Sequence, residues 1–293
     1  MDLSVVVPTL NGRDRLEACL DALADHAPDA EVIVVNGPSA DGTTGMIVDR
    51  SDVDVLIETA ERNVSVARNA GIKAATGDAV SILRYNRLVG PGWAATVRDA
   101  LSDGADAVTG PTQGARACWP PAGTFNPENV AFRRAVLGAL NGFDEALVVG
   151  SMRDLWERFD SAGYRARRTA SMAVTGAYGT EETFELEPAH RYRSGAYRRC
   201  KNGTLNWRRL LRIGLGSLAG TTLGLVRGDT SPTAVGGGLR EAASGFVAGV
   251  REGLKARRAA DDIDINPHGL DEREDRAVRR YDWRDAPLAC ANP

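Results

Sequence analysis

The chain has 293 residues, carries 36 basic against 39 acidic side chains for a net charge of −3, and is 43% hydrophobic. That length holds one sizeable α/β domain with an appendage. Four scattered cysteines (Cys19, Cys118, Cys200, Cys290) without a C-x-x-C pair, beside three dispersed histidines, exclude a Cys/His metal centre and point to a reducing compartment.

Residues 3–7 (LSVVV) read as a short buried strand ending at Pro8, and 14–26 as a helix through Leu16, Cys19, Leu20 and Leu23. The cycle repeats with EVIVV (31–35) before a Gly/Ser/Asp loop, VDVLI (53–57) before a helix over 64–75, AVSIL (79–83) before a helix from Pro91, and ADAVT (105–109). Alternation of this kind predicts a mostly parallel sheet covered on both faces. The loop after the first strand, Pro8-Thr9-Leu10-Asn11-Gly12, lacks G-x-G-x-x-G, and no Walker lysine motif occurs, so dinucleotide and P-loop chemistry are not expected. Ligands of open α/β sheets bind at the carboxyl ends of the strands. Arg84-Tyr85-Asn86, which follows AVSIL, is therefore expected to face the ligand.

Beyond residue 188 bases dominate, whereas acids outnumber bases over 1–150. Two helices are predicted there, with Gly216, Gly220, Gly224 and Gly228 recurring every four residues in one and Gly245, Gly249 and Gly253 in the other. Each glycine costs about 1 kcal/mol relative to alanine, so close packing or a membrane setting must offset the stripes. Residues 210–226 are too short to span a bilayer and contain Arg212. Trp207, Arg208, Arg209, Arg212 and Arg227 flank them as an interfacial segment attracted to anionic lipid would. A soluble helical hairpin packed on the first domain is the alternative. No nucleic-acid module accompanies the charge, so nucleic acid is not an expected partner. The acidic stretch 259–293 reads as a partly ordered tail, with one helical segment over 271–280.

"SVVVPTLNGRDRLEACLDAL", "EVIVVNGPSADGT", "NVSVARNAGIKAATGD" and "LNGFDEAL" occur in the order and spacing of family 2 glycosyltransferases, which residues 3–170 resemble. The resemblance implies a GT-A fold and inverting transfer from a nucleotide-sugar donor. It places Pro8, Thr9 and Asn36 at the base and ribose, with Asn11 and Asp41 in the same loops and Arg68 of ARNAG near the diphosphate. Asp41 is equally readable as a helix-start residue. The family's fourth strand ends in Asp-x-Asp, which binds a divalent ion (Mg or Mn); Arg84 and Asn86 stand there instead. Hard cations want charged oxygens, so no cofactor is secure, and Arg84 is the candidate for the metal's charge. The family commonly has Gly-Glu-Asp-x-Asp-Leu where this chain has Gly150-Ser151-Met152-Arg153-Asp154-Leu155. Asp154 is the candidate base, equally readable as a first-turn helix acid, and Asp144 is a further binding candidate.

Three parts are therefore expected: a GT-A-like domain over 1–188, a basic membrane-associating segment over 189–258 and an acidic tail over 259–293. All but three of the basic residues are arginine, and the lysine-poor composition adds a resemblance to haloarchaeal glycan-assembly transferases. The implied function is sugar transfer to a lipid-linked (dolichyl phosphate type) or glycan acceptor, alongside other glycan-assembly enzymes. No leader precedes the first strand, which predicts a cytoplasmic protein, peripheral on the inner membrane face. A fold retained as a catalytically degenerate scaffold or regulatory subunit is the alternative.

Overall fold

The computed structural model describes residues 1–113, 123–176, 188–203, 232–259 and 266–284. The chain divides into two compact units, Met1–Glu145 with Ser151–Glu181 and His268–Pro293, and Ala146–Gly150 with Glu182–Pro267.

In the first unit, β1 (Leu3–Thr9), α1 (Arg13–His26), β2 (Glu31–Asn36), α2 (Thr43–Val48), β3 (Val55–Glu58), α3 (Val64–Ala74) and β4 (Ala79–Leu83) follow the expected alternation. Two short strands flank α4 (Trp93–Ser102): β5 (Arg87–Leu88) before it and β6 (Ala107–Thr109) after it. Then come β7 (Thr112–Gln113), β8 (Asn129–Arg133), α5 (Arg134–Ala139), α6 (Ser151–Ser161), β9 (Ala166–Arg168), β10 (Val174–Gly176) and, after the second unit, β11 (Arg279–Asp282). The eight-stranded sheet has the order β11-β3-β2-β1-β4-β8-β6-β9, with β1, β2, β3 and β4 parallel and β8 and β11 antiparallel. β5, β10 and β7 form a second, three-stranded sheet.

Successive strand residues point to opposite faces, and here both faces are covered. Val5 and Val7 enter one core cluster with Leu16, Leu20 and Trp93, whereas Val6 enters the other with Ile33, Phe132 and Phe143. This is why LSVVV is apolar without alternation. Gly71 of α3 lies so close to Val6 that a side chain there would collide with it, and this brings α3 down onto the parallel strands. On the same face, edge-on aromatic contacts of Phe125 with Phe132 (4.9 Å), Trp156 (4.8 Å) and Phe159 (5.1 Å) seat α6 against β8.

The helix expected over 271–280 is not formed: turns lead into β11, which pairs antiparallel with β3. The free edge of β3 supplies hydrogen-bonding groups that a short helix would leave unused. Arg276 fixes the turns by donating to the carbonyls of Gly269, Leu270 (3.1 Å) and Arg273. Tyr281 stacks on Trp283 at 5.8 Å.

The second unit contains α7 (Pro188–Lys201) and α8 (Pro232–Ala259). Gly249 and Gly253 of α8 face the α7 backbone, where added Cβ atoms would strike the carbonyl of Arg193 and come within 2.5 Å of that of Tyr197. The stripe is thus used for close helix contact, and Arg193 pairs with Glu252 through two bonds of 2.9 and 2.8 Å. Among the described residues no helix is long and apolar enough to cross a membrane. The expected interfacial run 210–226, its flanking residues and the Gly216–Gly228 stripe lie outside the described residues.

Gly249→Ala is expected to destabilise the α7–α8 pair by about 1–3 kcal/mol, the scale of overpacking. Gly138→Ala in α5, where a Cβ meets nothing within 4 Å, is expected to be neutral or stabilising. Urea titrations followed by circular dichroism check both.

Candidate functional site

The carboxyl ends of β1, β2 and β3 are joined by a chain of hydrogen bonds. Gly37 N donates to Thr9 O and Thr59 N donates to Asn36 O, both at 2.9 Å. Asn36 is buried at the end of β2, its Oδ1 accepting from Ser39 Oγ (2.7 Å) and its Nδ2 donating to Thr44 Oγ1 (3.0 Å). Asn11, which adopts a positive φ of 50°, accepts from Ala40 N (2.9 Å) and donates its own N–H to Ser39 Oγ (2.9 Å). Asp41 accepts from the backbone N–H groups of Arg13 (3.1 Å) and Thr43 (3.2 Å). Asp41 thus serves as the helix-start residue that Asp-Gly suggests, and it ties the β1–α1 and β2–α2 loops together.

Four buried polar atoms have no hydrogen-bond partner among the described residues: Thr9 Oγ1, Thr59 Oγ1, Arg68 Nε and Asn86 Oδ1. An unsatisfied buried polar group costs about 1–3 kcal/mol, and these atoms lie on or beside the sheet end where α/β folds bind ligands, which makes them the candidates for a binding surface. Pro8 lies beside Thr9 at the end of β1.

Arg68 dominates this surface. It is 8% exposed, lies over the Phe143 ring at 4.9 Å, and makes two bonds of 3.3 Å, to Ser151 Oγ and to the carbonyl of Pro127. No carboxylate pairs with it among the described residues. Burial pushes its guanidinium down to about 10, and the charge of Arg84 adds to the shift. The neighbouring motif residue, Asn69, is structural. It exchanges bonds of 2.8 Å with Phe143 O and Phe143 N and donates to Glu145 (2.8 Å). ARNAG and GFDEAL therefore meet around Arg68.

Arg84 is 38% exposed and donates to Glu128 Oε1 at 2.7 Å. Arg87, buried, holds the same carboxylate through Nε (2.8 Å) and Nη2 (2.9 Å), and Thr112 Oγ1 donates to it at 2.9 Å. Burial opposes ionisation of Glu128, but the bonds and charge of Arg87, with those of Arg84 and Thr112, outweigh it and hold the carboxyl at about 2. The divalent ion implied by the resemblance does not fit these residues. Positions 84 and 86 offer a guanidinium and one amide oxygen, and Glu128 is committed to two arginines.

Asp154 and Asp144 are fully buried. Asp154 accepts from Arg158 Nε at 2.9 Å, and Arg158 also donates to the carbonyls of Leu140 and Gly142 (2.8 Å). The candidate base is thus part of the scaffold that fixes the start of α6, where Ser151 reaches Arg68. Glu145 is held by Asn69, Arg273 (3.1 Å) and Arg276. Sequence reasoning missed Glu128, Arg87 and Thr59. The signal for Glu128 was Asn126-Pro127-Glu128, where Asn126 Oδ1 accepts from Glu128 N (3.1 Å) and turns the acid toward the strand end.

Residues 4–126 match the family described as Glycosyl transferase family 2. Among solved structures, a mannosyltransferase, PcManGT, from Pyrobaculum calidifontis in complex with GDP-Man and Mn2+ is 18% identical, with a TM-score of 0.58 over 89% of this chain and 88% of that one. S. aureus TarS 1–349 in complex with UDP-GlcNAc is 18% identical, with a TM-score of 0.56 over 68% and 65% of the two chains. The TarS complex with UDP is 17% identical, with a TM-score of 0.53 over 89% and 92%. No curated protein matches the sequence significantly. The structures share the GT-A fold with this chain, and the family match supports glycosyl transfer as the class of chemistry.

The depressed Glu128 carboxyl has a consequence for acid stability. Its ion pairs stabilise the fold fully above the ordinary carboxylate range and are lost as pH falls toward 2. Urea titrations between pH 5 and pH 2.5 are expected to show a loss smaller by on the order of 2 kcal/mol in Glu128→Gln than in the parent.

Proposed function

We propose that the chain is an inverting glycosyltransferase that binds a nucleotide-sugar donor across the ends of β3, β2, β1 and β4. The base and ribose lie over Thr59, Asn36 and Thr9, and the diphosphate lies toward Arg68, Arg84 and Asn86. The observation that carries this reading is the buried Arg68, which has no carboxylate partner among the described residues, beside three further polar atoms orphaned among them. A guanidinium suits phosphate oxygens because its planar fork can donate two parallel bonds. The neighbours crystallised with GDP-Man, UDP-GlcNAc and UDP share the fold that presents these strand ends.

As the acceptor oxygen bonds to the anomeric carbon, the bond between sugar and phosphate breaks, the proton of a hydroxyl acceptor passes to solvent, and negative charge grows on the departing diphosphate. A fixed cation aimed at it lowers the barrier without reorganising at the moment of reaction. Arg84 fills this role in our reading, since it stands where the family places its metal ligands and only one of its nitrogens is taken by Glu128. Asp154 holds α6 through Arg158 in the same reading. The acceptor is a lipid-linked or glycan molecule at the cytoplasmic face of the membrane, brought there by the basic second unit. The buried and paired state of Asp154 and Glu145 favours a second reading, a nucleotide-binding scaffold without transfer.

Calorimetry with nucleoside diphosphates tests the shared premise: Arg68→Ala is expected to weaken binding at least tenfold. Transfer assays separate the readings. Activity that survives EDTA and falls by about 2–4 kcal/mol of transition-state stabilisation in Arg84→Ala supports the enzyme. Binding without turnover supports the scaffold.

For the membrane, the full chain is expected to sediment with anionic vesicles at low salt, less at high salt, and not with neutral ones. Equal sedimentation with neutral and anionic vesicles removes charge as the cause.

A further inference from the structure

Glu128 is the acid that a metal-independent diphosphate site would least be expected to contain. It is largely buried, its carboxylate is shared by Arg84 and Arg87, and it faces the orphaned Asn86 side of the strand ends. The pairing register explains its position. Leu83 of β4 is opposite Asn129 of β8, and Arg84 N donates to Glu128 O at 3.0 Å, so the acid is locked to the end of β4 by backbone as well as side chain. The two arginines are held differently. Arg87 grips both oxygens and also donates to Asn86 O (3.3 Å), whereas Arg84 uses one nitrogen on one oxygen and keeps its remaining N–H groups without a partner among the described residues.

Counting charges, Arg68, Arg84 and Arg87 with Glu128 leave the cluster at +2. The pyrophosphate of a nucleotide-sugar carries two negative charges. Once the sugar has left, the free diphosphate gains most of a third, because its terminal phosphate ionises near pH ~6. Without Glu128 the cluster would match the product better than the substrate.

We propose that Glu128 is a positioning residue that sets the charge of this site: by engaging one nitrogen of Arg84 it tempers that cation's pull on the diphosphate and keeps the cluster from trapping the released nucleoside diphosphate. The proposal rests on the donor-site reading above.

Calorimetric titration of the full chain with UDP and GDP, and with uridine and guanosine as phosphate-free controls, tests it. Affinity is expected to follow cluster charge. Glu128→Gln tightens nucleoside diphosphate binding at least threefold, Arg87→Met weakens it at least threefold, and Glu128→Gln combined with Arg87→Met returns it to within twofold of the parent. None of the three is expected to change nucleoside binding. Glu128→Gln in an Arg84→Gln background is expected to tighten binding less than in the parent, since Arg84 is no longer there to be released.

The combined variant removes both members of one ion pair, so it keeps the test open if Glu128→Gln does not fold. Unchanged or weaker diphosphate binding in a folded Glu128→Gln variant overturns the proposal, as does a combined variant that fails to recover. If the parent binds neither UDP nor GDP, the donor-site reading fails and takes the proposal with it. If the parent binds them and affinity ignores cluster charge, only the role of Glu128 fails.

Discussion

Arg68 is buried against the Phe143 ring and reaches Ser151 and the carbonyl of Pro127 through two long hydrogen bonds, with no carboxylate beside it among the described residues. Withdrawing a cation from water carries a desolvation penalty of several kcal/mol that a neutral hydroxyl and carbonyl recover only in part. The surrounding fold must therefore be rigid enough to hold it. That rigidity comes from the Asn69 bonds to Phe143 and Glu145, from the close seat of Gly71 on Val6, and from the aromatic contacts that anchor α6. A structure arranged in this way keeps an unneutralised positive charge at the carboxyl edge of its sheet, and such a charge is worth most to an anion that displaces the remaining water.

The same logic explains how the acidic stretch after the second unit is used. Arg273 and Arg276 both reach Glu145, and Arg276 also ties down three backbone carbonyls. Through Glu145 and Asn69 this returning segment braces the loop that carries Phe143 under Arg68. Its strand β11 closes the edge of β3 and continues into Arg284, which bonds Glu31 at 2.8 Å and the carbonyl of Ala74 at 3.1 Å. The arginines of a stretch that reads as a solvated acidic tail thus pair with acids of the sheet domain, Arg273 and Arg276 with Glu145 and Arg284 with Glu31.

Two of the departures from the resembled family can be seen as one physical exchange. Carboxylates that would gather a divalent ion are absent at positions 84 and 86, and in their place a guanidinium is held by an acid just before the neighbouring antiparallel strand. A metal ion brings its charge only when bound, whereas the Arg84 guanidinium is covalently present and cannot leave the site. Its charge has to be moderated permanently, and a carboxylate held at about 2 by its own ion pairs does that at every physiological pH.

The alternation of strands and helices is legible in the chain alone, because continuous apolar runs such as LSVVV and EVIVV, bounded by Gly, Pro and Asp, admit few other structures. Strand direction also places Thr9 and Asn86 at one sheet end, since parallel strands all finish on the same side, whereas Arg68, inside α3, is linked to that end at the level of sequence only by the family resemblance. What those side chains meet depends on packing between segments distant in sequence. Glu128 lies 44 residues from Arg84, and its place depends on the register of β8 against β4, which no local spacing encodes. Asp154 reads as a first-turn acid from its position, and only packing shows that Arg158, one helical turn on, is buried with it. The helix misread over 271–280 has the same origin: local pattern suggested one, and the open edge of β3 offered the backbone a better set of hydrogen bonds.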